Sequence, residues 1–469
     1  MIKKPSFVHA LVCFVTIISM ISFGLFVYEI SLHSIIFLCL VWVGLNTYLL
    51  GYQYLDIQGM MNQAISQALP ALYIFILIGM VIASFMQSGT IASLIYYGLD
   101  WLSAGSFLLV GLLLCCLMSV LTGTSWGTVG TLGVVFMGIG AAMSIPLPLV
   151  AGMVISGATF GDKLSPVSDT TNLAAMSAET DLYAHIKSML YTTVPTLIIV
   201  MTLMIYFGLK YESVGLPHNE ISAIRDALDK SYGLNPLVTL LPLIVMLGLS
   251  MKRVSAQVSM SFSILCAVFI AIFYQQTYFA DVLNALWKNQ AGTTGIANID
   301  ALLGRGGISS MAWTLFLSIM ALAMGGMLYK ADFLESLLLG LIVRVKKVGS
   351  LVLLTISSSL LGNLAMGEAY ISIILNCQLY RSSFDDQKLG RQMLSRTVEE
   401  GSTLTTSLIP WTTAGAFYAS TLDVAVIEYA PYAFLNYLNP LVSVIMAYLG
   451  FGIIRSVNTT VPEESKNTG

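Results

Sequence analysis

Two stretches of this chain set carboxylates among hydroxyls inside otherwise apolar sequence. The first reads Phe160-Gly-Asp-Lys-Leu-Ser-Pro-Val-Ser-Asp-Thr-Thr-Asn172 and holds Asp162, Lys163, Ser165, Ser168, Asp169, Thr170, Thr171 and Asn172. The second runs from Ser395 to Thr413 and holds Arg396, Glu399, Glu400, Ser402, Thr403, Thr405 and Thr406. Acids beside many neutral oxygens form the ligand set of a hard cation such as Na+. Pro166 and Pro410 each remove a backbone donor and free a carbonyl as a further acceptor, and half-helix ends meeting there add their dipoles. A carboxylate withdrawn from water binds a proton more readily. Na+, expected at Asp162, Asp169 and Glu399, would therefore compete with H+. That competition couples the two fluxes if the protein changes shape when loaded but not when empty.

Other residues extend this set. Glu368 could reach the same cavity or serve as a first-turn acid of a helix. Ser125 and Thr128 hold a comparable place in the first half. Asn363 marks the expected tip of a second polar turn. Lys163 is expected to pair with a carboxylate when no cation is bound, and Arg396 with Glu399 or Glu400. His185, near Glu179, Asp181 and Lys187, reads as an interfacial histidine, although imidazole titrates near neutral pH. Trp126 and Trp411 fall at polar breaks. Gly123-x-x-x-Gly127 and Gly157-x-x-x-Gly161 read as helix-packing faces.

The elements that must position these groups are membrane helices. The 469 residues are 57% hydrophobic and 10% charged, with a mean hydropathy of +0.84, whereas soluble domains carry about 25% charged residues. Apolar runs of spanning length occur at 8–29, 33–52, 70–87, 189–209, 236–251, 257–276, 308–328 and 431–454. Runs at 146–176 and 393–420 are interrupted by the polar clusters. Segments 105–144 and 348–380 exceed one crossing and break at Thr122–Gly127 and Gly362–Gly367. Lys and Arg favour the cytoplasmic side. With Lys3–Lys4 inside, Lys252–Arg253, Arg344–Lys347, Arg381–Arg396 and Arg455 also fall inside. Segment 348–380 is then a re-entrant hairpin from inside, and 105–144, flanked by Asp100 and Pro146–Pro148, one from outside. The expectation is an all-α polytopic membrane protein of about ten transmembrane helices plus two re-entrant hairpins. Its two inverted-topology repeats, 1–209 and 235–454, carry broken helices at the bilayer midplane. A polar linker, 210–234, joins them, and a polar cytoplasmic tail, 455–469, follows. Irregular backbone at that depth must line a cavity or be buried in protein, so the four breaks point to one shared site.

A net charge of −3 and the lack of long basic runs argue against a nucleic-acid partner. The six cysteines, Cys13, Cys39, Cys115, Cys116, Cys266 and Cys377, sit in apolar runs as small hydrophobes and suggest no metal cluster. No cofactor is expected. No histidine neighbours a serine within a span, and no His-Glu-x-x-His pattern occurs, so the reading is a transporter rather than an intramembrane hydrolase. A channel would pass ions without exchanging protons.

The run Gly157-Ala-Thr-Phe-Gly-Asp-Lys-Leu-Ser-Pro-Val-Ser-Asp-Thr-Thr-Asn-Leu173 closely resembles the signature of the NhaC family of sodium/proton antiporters. Leu394–Thr397 with Ile409-Pro-Trp-Thr-Thr-Ala-Gly415 resembles that family's second signature, and the similarity runs in order over most of the chain. The resemblance implies a multi-pass bacterial inner-membrane antiporter exchanging Na+ for H+. The family also includes exchangers of malate with H+ for lactate with Na+, which is the alternative here. Glu399-Glu400-Gly401-Ser402 departs from the Glu-Asp-Ser-Gly order common in the family. Na+ and H+ are the expected ligands, with Li+ or small carboxylates as further options, and a homodimer is left open.

Overall fold

In a computed structural model of the chain, every main element is a helix. The structure describes residues 2–456 except 102, 213–217, 253, 291, 293, 297–299, 301–302 and 342–346. Arg253, Arg344–Lys346 and the tail beyond 456 therefore lie outside the described residues. The first half contains α1 (Phe7–Phe26), α2 (Leu32–Leu49), α3 (Tyr54–Gln87), α4 (Thr90–Trp101), α5 (Ala104–Thr122), α6 (Ser125–Ala142), α7 (Leu147–Leu164), α8 (Asp169–Ser177) and α9 (Leu182–Glu212). Then come α10 (His218–Ser231), α11 (Leu241–Met251), α12 (Ala256–Phe273), α13 (Phe279–Trp287), α14 (Ile308–Lys330) and α15 (Phe333–Leu341). The chain continues through α16 (Val348–Met366), α17 (Ala369–Asp386), α18 (Arg391–Thr406), α19 (Thr413–Leu422), α20 (Val426–Tyr432) and α21 (Phe434–Leu449). Eight helices are long and apolar enough to cross a bilayer, and up to ten if each bent pair is one span, among the described residues.

Sequence explains the irregularities. Pro70 lies inside α3, which bends there by 41°, as expected where a ring replaces a donor. Gly123 ends α5 at φ +69° and Gly367 ends α16 at φ +66°. A side chain at either position would be strained, which is why both hairpins turn on glycine. Gly123 is therefore a turn residue, and it also packs closely, since a Cβ there would stand 2.4 Å from Val167 Cγ2. Gly157 and Gly161 do pack: a Cβ on Gly161 would stand 2.4 Å from the Cys116 carbonyl oxygen.

Several boundaries differ from the sequence expectation. The hairpin arms are helices of 18–19 residues, about 27 Å at ~1.5 Å per residue, so α17 runs on to Asp386. Asn363 lies inside α16, one turn before the bend at Gly367. The second polar cluster is a continuous helix through Thr406, and the break follows it, at 407–412 around Pro410.

The later part of each half, from its hairpin onward, repeats in strict register. α5, α6, α7, α8 and α9 start at 104, 125, 147, 169 and 182, while α16, α17, α18, α19 and α20 start at 348, 369, 391, 413 and 426. The offset is 244 residues each time, without insertion. Contacts repeat as well. A Cβ on Gly157 would lie 2.7 Å from the Leu112 carbonyl, and one on Gly401 would lie 2.7 Å from that of Ile356. Ser119 donates to the Ala158 carbonyl (2.6 Å) where Asn363 donates to that of Ser402 (2.6 Å). Each of these pairs is related by 244.

Candidate functional site

Both hairpin turns and both helix breaks converge on one cavity of about 160 Å³. From the first half it is lined by Thr124, Ser125, Trp126, Thr159, Asp162, Ser168, Asp169 and Thr170. From the second it is lined by Glu368, Ala369, Tyr370, Thr403, Thr406, Thr413, Ala414 and Tyr418, with Pro70, Ile74 and Gln257 at its side. Seven of these contributions are matched at an offset of 244: 124 with 368, 125 with 369, 126 with 370, 159 with 403, 162 with 406, 169 with 413, and 170 with 414. The cavity thus lies where the two repeats meet symmetrically.

Three carboxylates face this space. Asp162, in the last turn of α7, is 8% exposed and accepts from Ser125 Oγ at 2.6 Å. Glu368 is the N-cap of α17, accepting from the Ala369 amide (2.9 Å) and from Thr413 Oγ1 (2.6 Å). It is therefore both a helix-starting acid and a cavity residue. Asp169 opens α8 and is exposed. Trp126 stacks on Phe417 at 4.6 Å, with Phe75 edge-on to both, which fixes the first hairpin turn against α19. Among the described residues, no Lys, Arg or His lines the cavity.

The remaining acids form a separate buried cluster. Glu399 Oε2 pairs with His185 Nε2 (2.7 Å), and its Oε1 accepts from Thr171 Oγ1 (3.3 Å). His185 Nδ1 meets Ser395 Oγ at 2.7 Å. Glu400 Oε1 lies 3.5 Å from Lys163 Nζ and accepts from Thr192 Oγ1. Lys163 donates to Asn439 Oδ1 at 2.7 Å. Lys163, His185, Glu399 and Glu400 have no exposed surface. His185 is thus a buried partner of Glu399, not an interfacial residue. Arg396 donates to the carbonyls of Ser188 (3.2 Å) and Gly452 (3.0 Å). It bonds backbone where the sequence suggested a glutamate.

The sequence-derived set therefore divides. Asp162, Ser125, Ser168, Asp169, Thr170, Glu368, Thr403 and Thr406 line the cavity, whereas Glu399 does not join Asp162 and Asp169 there. No group of three or more His, Cys, Asp or Glu suited to one metal ion occurs among the described residues. Thr171 bridges the two regions, donating to the carbonyls of Asp162 (3.3 Å) and Lys163 (3.1 Å). Ser165 bonds the Val120 carbonyl (2.8 Å), and Asn172 the carbonyls of Pro166 (2.9 Å) and Ser168 (2.7 Å), so both shape the break. Asn363 joins Ser402 and Thr405 in tying α16 to α18. Thr128 bonds the Thr124 carbonyl (3.0 Å) and Trp411 that of Leu364 (2.9 Å). Tyr370, Thr413, Tyr418 and Gln257 were not anticipated in the cavity. The repeat offset, applied to Trp126 and Asp169, would have found Tyr370 and Thr413.

A family model described as the Na+/H+ antiporter family matches residues 1–171 and 157–451. The chain is 36% identical over 454 residues to the Na+/H+ antiporter NhaC of Alkalihalophilus pseudofirmus, covering 96% of this chain and 97% of that one. It is 34% identical to a malate-2H+/Na+-lactate antiporter of Bacillus subtilis, covering 88% of each chain. It is also 34% identical to the Na+/H+ antiporter NhaC of Bacillus subtilis, over 95% of this chain and 99% of that one. A family model matched by both halves, and relatives this similar over almost their whole length, show that the chain belongs to the NhaC family of Na+/H+ antiporters.

Proposed function

We propose that the shared cavity is where this antiporter takes up Na+ in exchange for H+, by alternating access. The observation that carries the reading is a cavity holding Asp162, Asp169 and Glu368 among hydroxyls, with no basic side chain in its lining among the described residues. Oxygen donors of this kind suit a dehydrated hard cation, and carboxylates can hold protons in its place. Its position between two matched repeats supports the mechanism. Inverted repeats let one half adopt the other's conformation and so expose a single site to each side in turn. The Lys and Arg distribution supports that inversion, with both termini cytoplasmic in a bacterial inner membrane.

Exchange of organic acids is the second reading, because one relative is a malate/lactate exchanger. An organic anion needs a cation or half-helix N-termini to meet it. Lys163 is engaged by Glu400 and Asn439, Arg396 by backbone carbonyls, and neither lines the cavity. The three acids there favour a cation.

The test is proton movement in acid-loaded proteoliposomes on adding Na+, with and without malate and lactate. Release by Na+ alone, independent of membrane voltage, is expected. Release only in the presence of both organic acids would sink the Na+/H+ reading, and Na+ flux without proton movement would indicate a channel.

A further inference from the structure

The buried cluster beside the cavity has a counterpart in the other repeat, and the comparison shows what the fold itself requires. At the offset of 244, Lys163 corresponds to Ser407, Glu400 to Ser156, His185 to Tyr429 and Thr192 to Asn436. There Asn436 donates to Ser407 Oγ (2.7 Å), Tyr429 Oη to the Ser407 carbonyl (2.6 Å), and the Leu435 amide to Ser156 Oγ (3.4 Å). The fold closes the same place once with neutral groups and once with charges. Ions removed from water are costly to hold, so packing does not explain the charged version.

Within the charged version two atoms are unspent among the described residues, Glu400 Oε2 and Arg396 Nε. Glu399 Oε2 pairs with His185 and its Oε1 shares the single Thr171 proton with the carbonyls of Asp162 and Lys163, while Glu400 Oε1 accepts from Lys163 and Thr192. Among the described residues Glu400 Oε2 is buried without a partner, so a proton can settle there without displacing an existing bond. Glu400 meets Lys163 of α7 and Thr192 of α9, its own helix carries Arg396 and Glu399, His185 of α9 and Thr171 of α8 reach Glu399, and α21 gives Lys163 the neutral Asn439. Lys163 directly follows Asp162, so the charged cluster and the cavity share one turn of α7.

We propose that the Lys163–Glu400 pair is a proton-holding site distinct from the cation cavity. A proton delivered by hydronium adds to Glu400 Oε2, turning the carboxylate into the neutral acid and leaving water behind. Lys163 then loses its counter-ion and keeps Asn439 as acceptor. The added positive charge opposes a cation beside Asp162, and by linkage the cation equally weakens the proton. The proposal rests on the cavity being the Na+ site.

The full chain, purified in detergent, is titrated with Na+ by calorimetry in two buffers of different ionisation enthalpy, which counts protons released per ion bound. Glu400→Gln fixes the neutral form beside a charged Lys163, so it is expected to weaken Na+ binding roughly tenfold and to release about one proton fewer per ion. An unchanged proton count overturns the proposal by placing the proton elsewhere. Unchanged Na+ affinity in Glu400→Gln also overturns it, because the charge left on Lys163 would then not oppose the cation. The double variant Lys163→Met/Glu400→Leu removes both ions together, which buried pairs tolerate better than loss of one. It must also lose about one proton per ion, and a wild-type count in it overturns the proposal. Wild-type protein that binds no Na+ defeats the cavity reading itself, and this proposal with it.

Discussion

Replacing Asp162 by asparagine isolates the charge of the most enclosed cavity carboxylate in the first half. The amide keeps the side chain's size and can still accept from Ser125 Oγ, which stands 2.6 Å from Asp162 Oδ2. What is lost is the attraction between a carboxylate and Na+. For unit charges about 4 Å apart at an effective dielectric near 20, that is about 4 kcal/mol. The amide oxygen retains part of it as an ion–dipole contact, leaving a net loss of about 3 kcal/mol. At about 1.4 kcal/mol per tenfold, Na+ affinity falls on the order of 100-fold. Asp169→Asn is the internal comparison. Asp169 is exposed where Asp162 is buried, so water screens it and the loss is about 1 kcal/mol, fivefold to tenfold. The assay is dequenching of a pH-sensitive dye in inside-out vesicles across a Na+ series, read as the half-maximal Na+ concentration. If Asp169→Asn raises that concentration more than Asp162→Asn, or if Asp162→Asn moves it by less than about threefold, Asp162 is not the ion's principal ligand.

Ser125→Ala removes a hydrogen bond to a charged group, worth about 1.5–3 kcal/mol. It should raise the half-maximal Na+ concentration roughly tenfold, and an unchanged value would detach the first hairpin from the site. Gly161→Ala drives a methyl group to 2.4 Å from the Cys116 carbonyl and 2.6 Å from the Val120 amide. Neither backbone atom can yield cheaply, so a cost of about 1–3 kcal/mol should appear as a fall of a few degrees in thermal unfolding, and an unshifted transition would contradict the packing. Glu179 bonds Arg391 and Arg381, which hold its carboxyl below its ordinary range. A depressed carboxylate contributes stability above its unfolded value of about 4.3 and loses it only as pH falls through the lower folded value. Glu179→Gln should therefore leave the pH profile of exchange unmoved between about pH 6 and 9, and a displaced midpoint would make this surface cluster part of the pH response.

The breaks were legible because they have local causes. Pro166 within a polar run and glycines at the hairpin turns announce themselves without knowledge of the fold. The facing of side chains on α18 was harder. Glu399, Thr403 and Thr406 follow a spacing of four and three, which puts them on one helix stripe. Thr403 and Thr406 do line the cavity. Glu399 lies one turn earlier, about 6 Å along the axis at ~1.5 Å per residue, where Thr171 and His185 meet it. Periodicity fixes the direction of a side chain, not the depth at which the cavity ends. The pairing of Glu399 with His185 joins residues 214 apart in sequence, and no local pattern signals it.

The symmetry of the cavity also explains why it carries three acids and not six. Asp162 answers to Thr406, Asp169 to Thr413 and Glu368 to Thr124, so each related pair supplies one carboxylate and one threonine hydroxyl. Acids at both members would set six negative charges around about 160 Å³, and like charges so close cannot all stay ionised. Threonine at the second member keeps an oxygen in place without the repulsion, and within the second repeat Glu368 accepts from Thr413, the counterpart of Asp169. The hairpin contact is unequal as well. Ser125 gives Asp162 a donor, while its counterpart Ala369 has no hydroxyl to offer Thr406. Exchanging the conformations of the two repeats therefore does not return the same site. Under the alternating access proposed above, the acids of the first repeat and the acid of the second would have different hydrogen-bond partners in the two states, which predicts a distinct ion affinity on each side of the membrane.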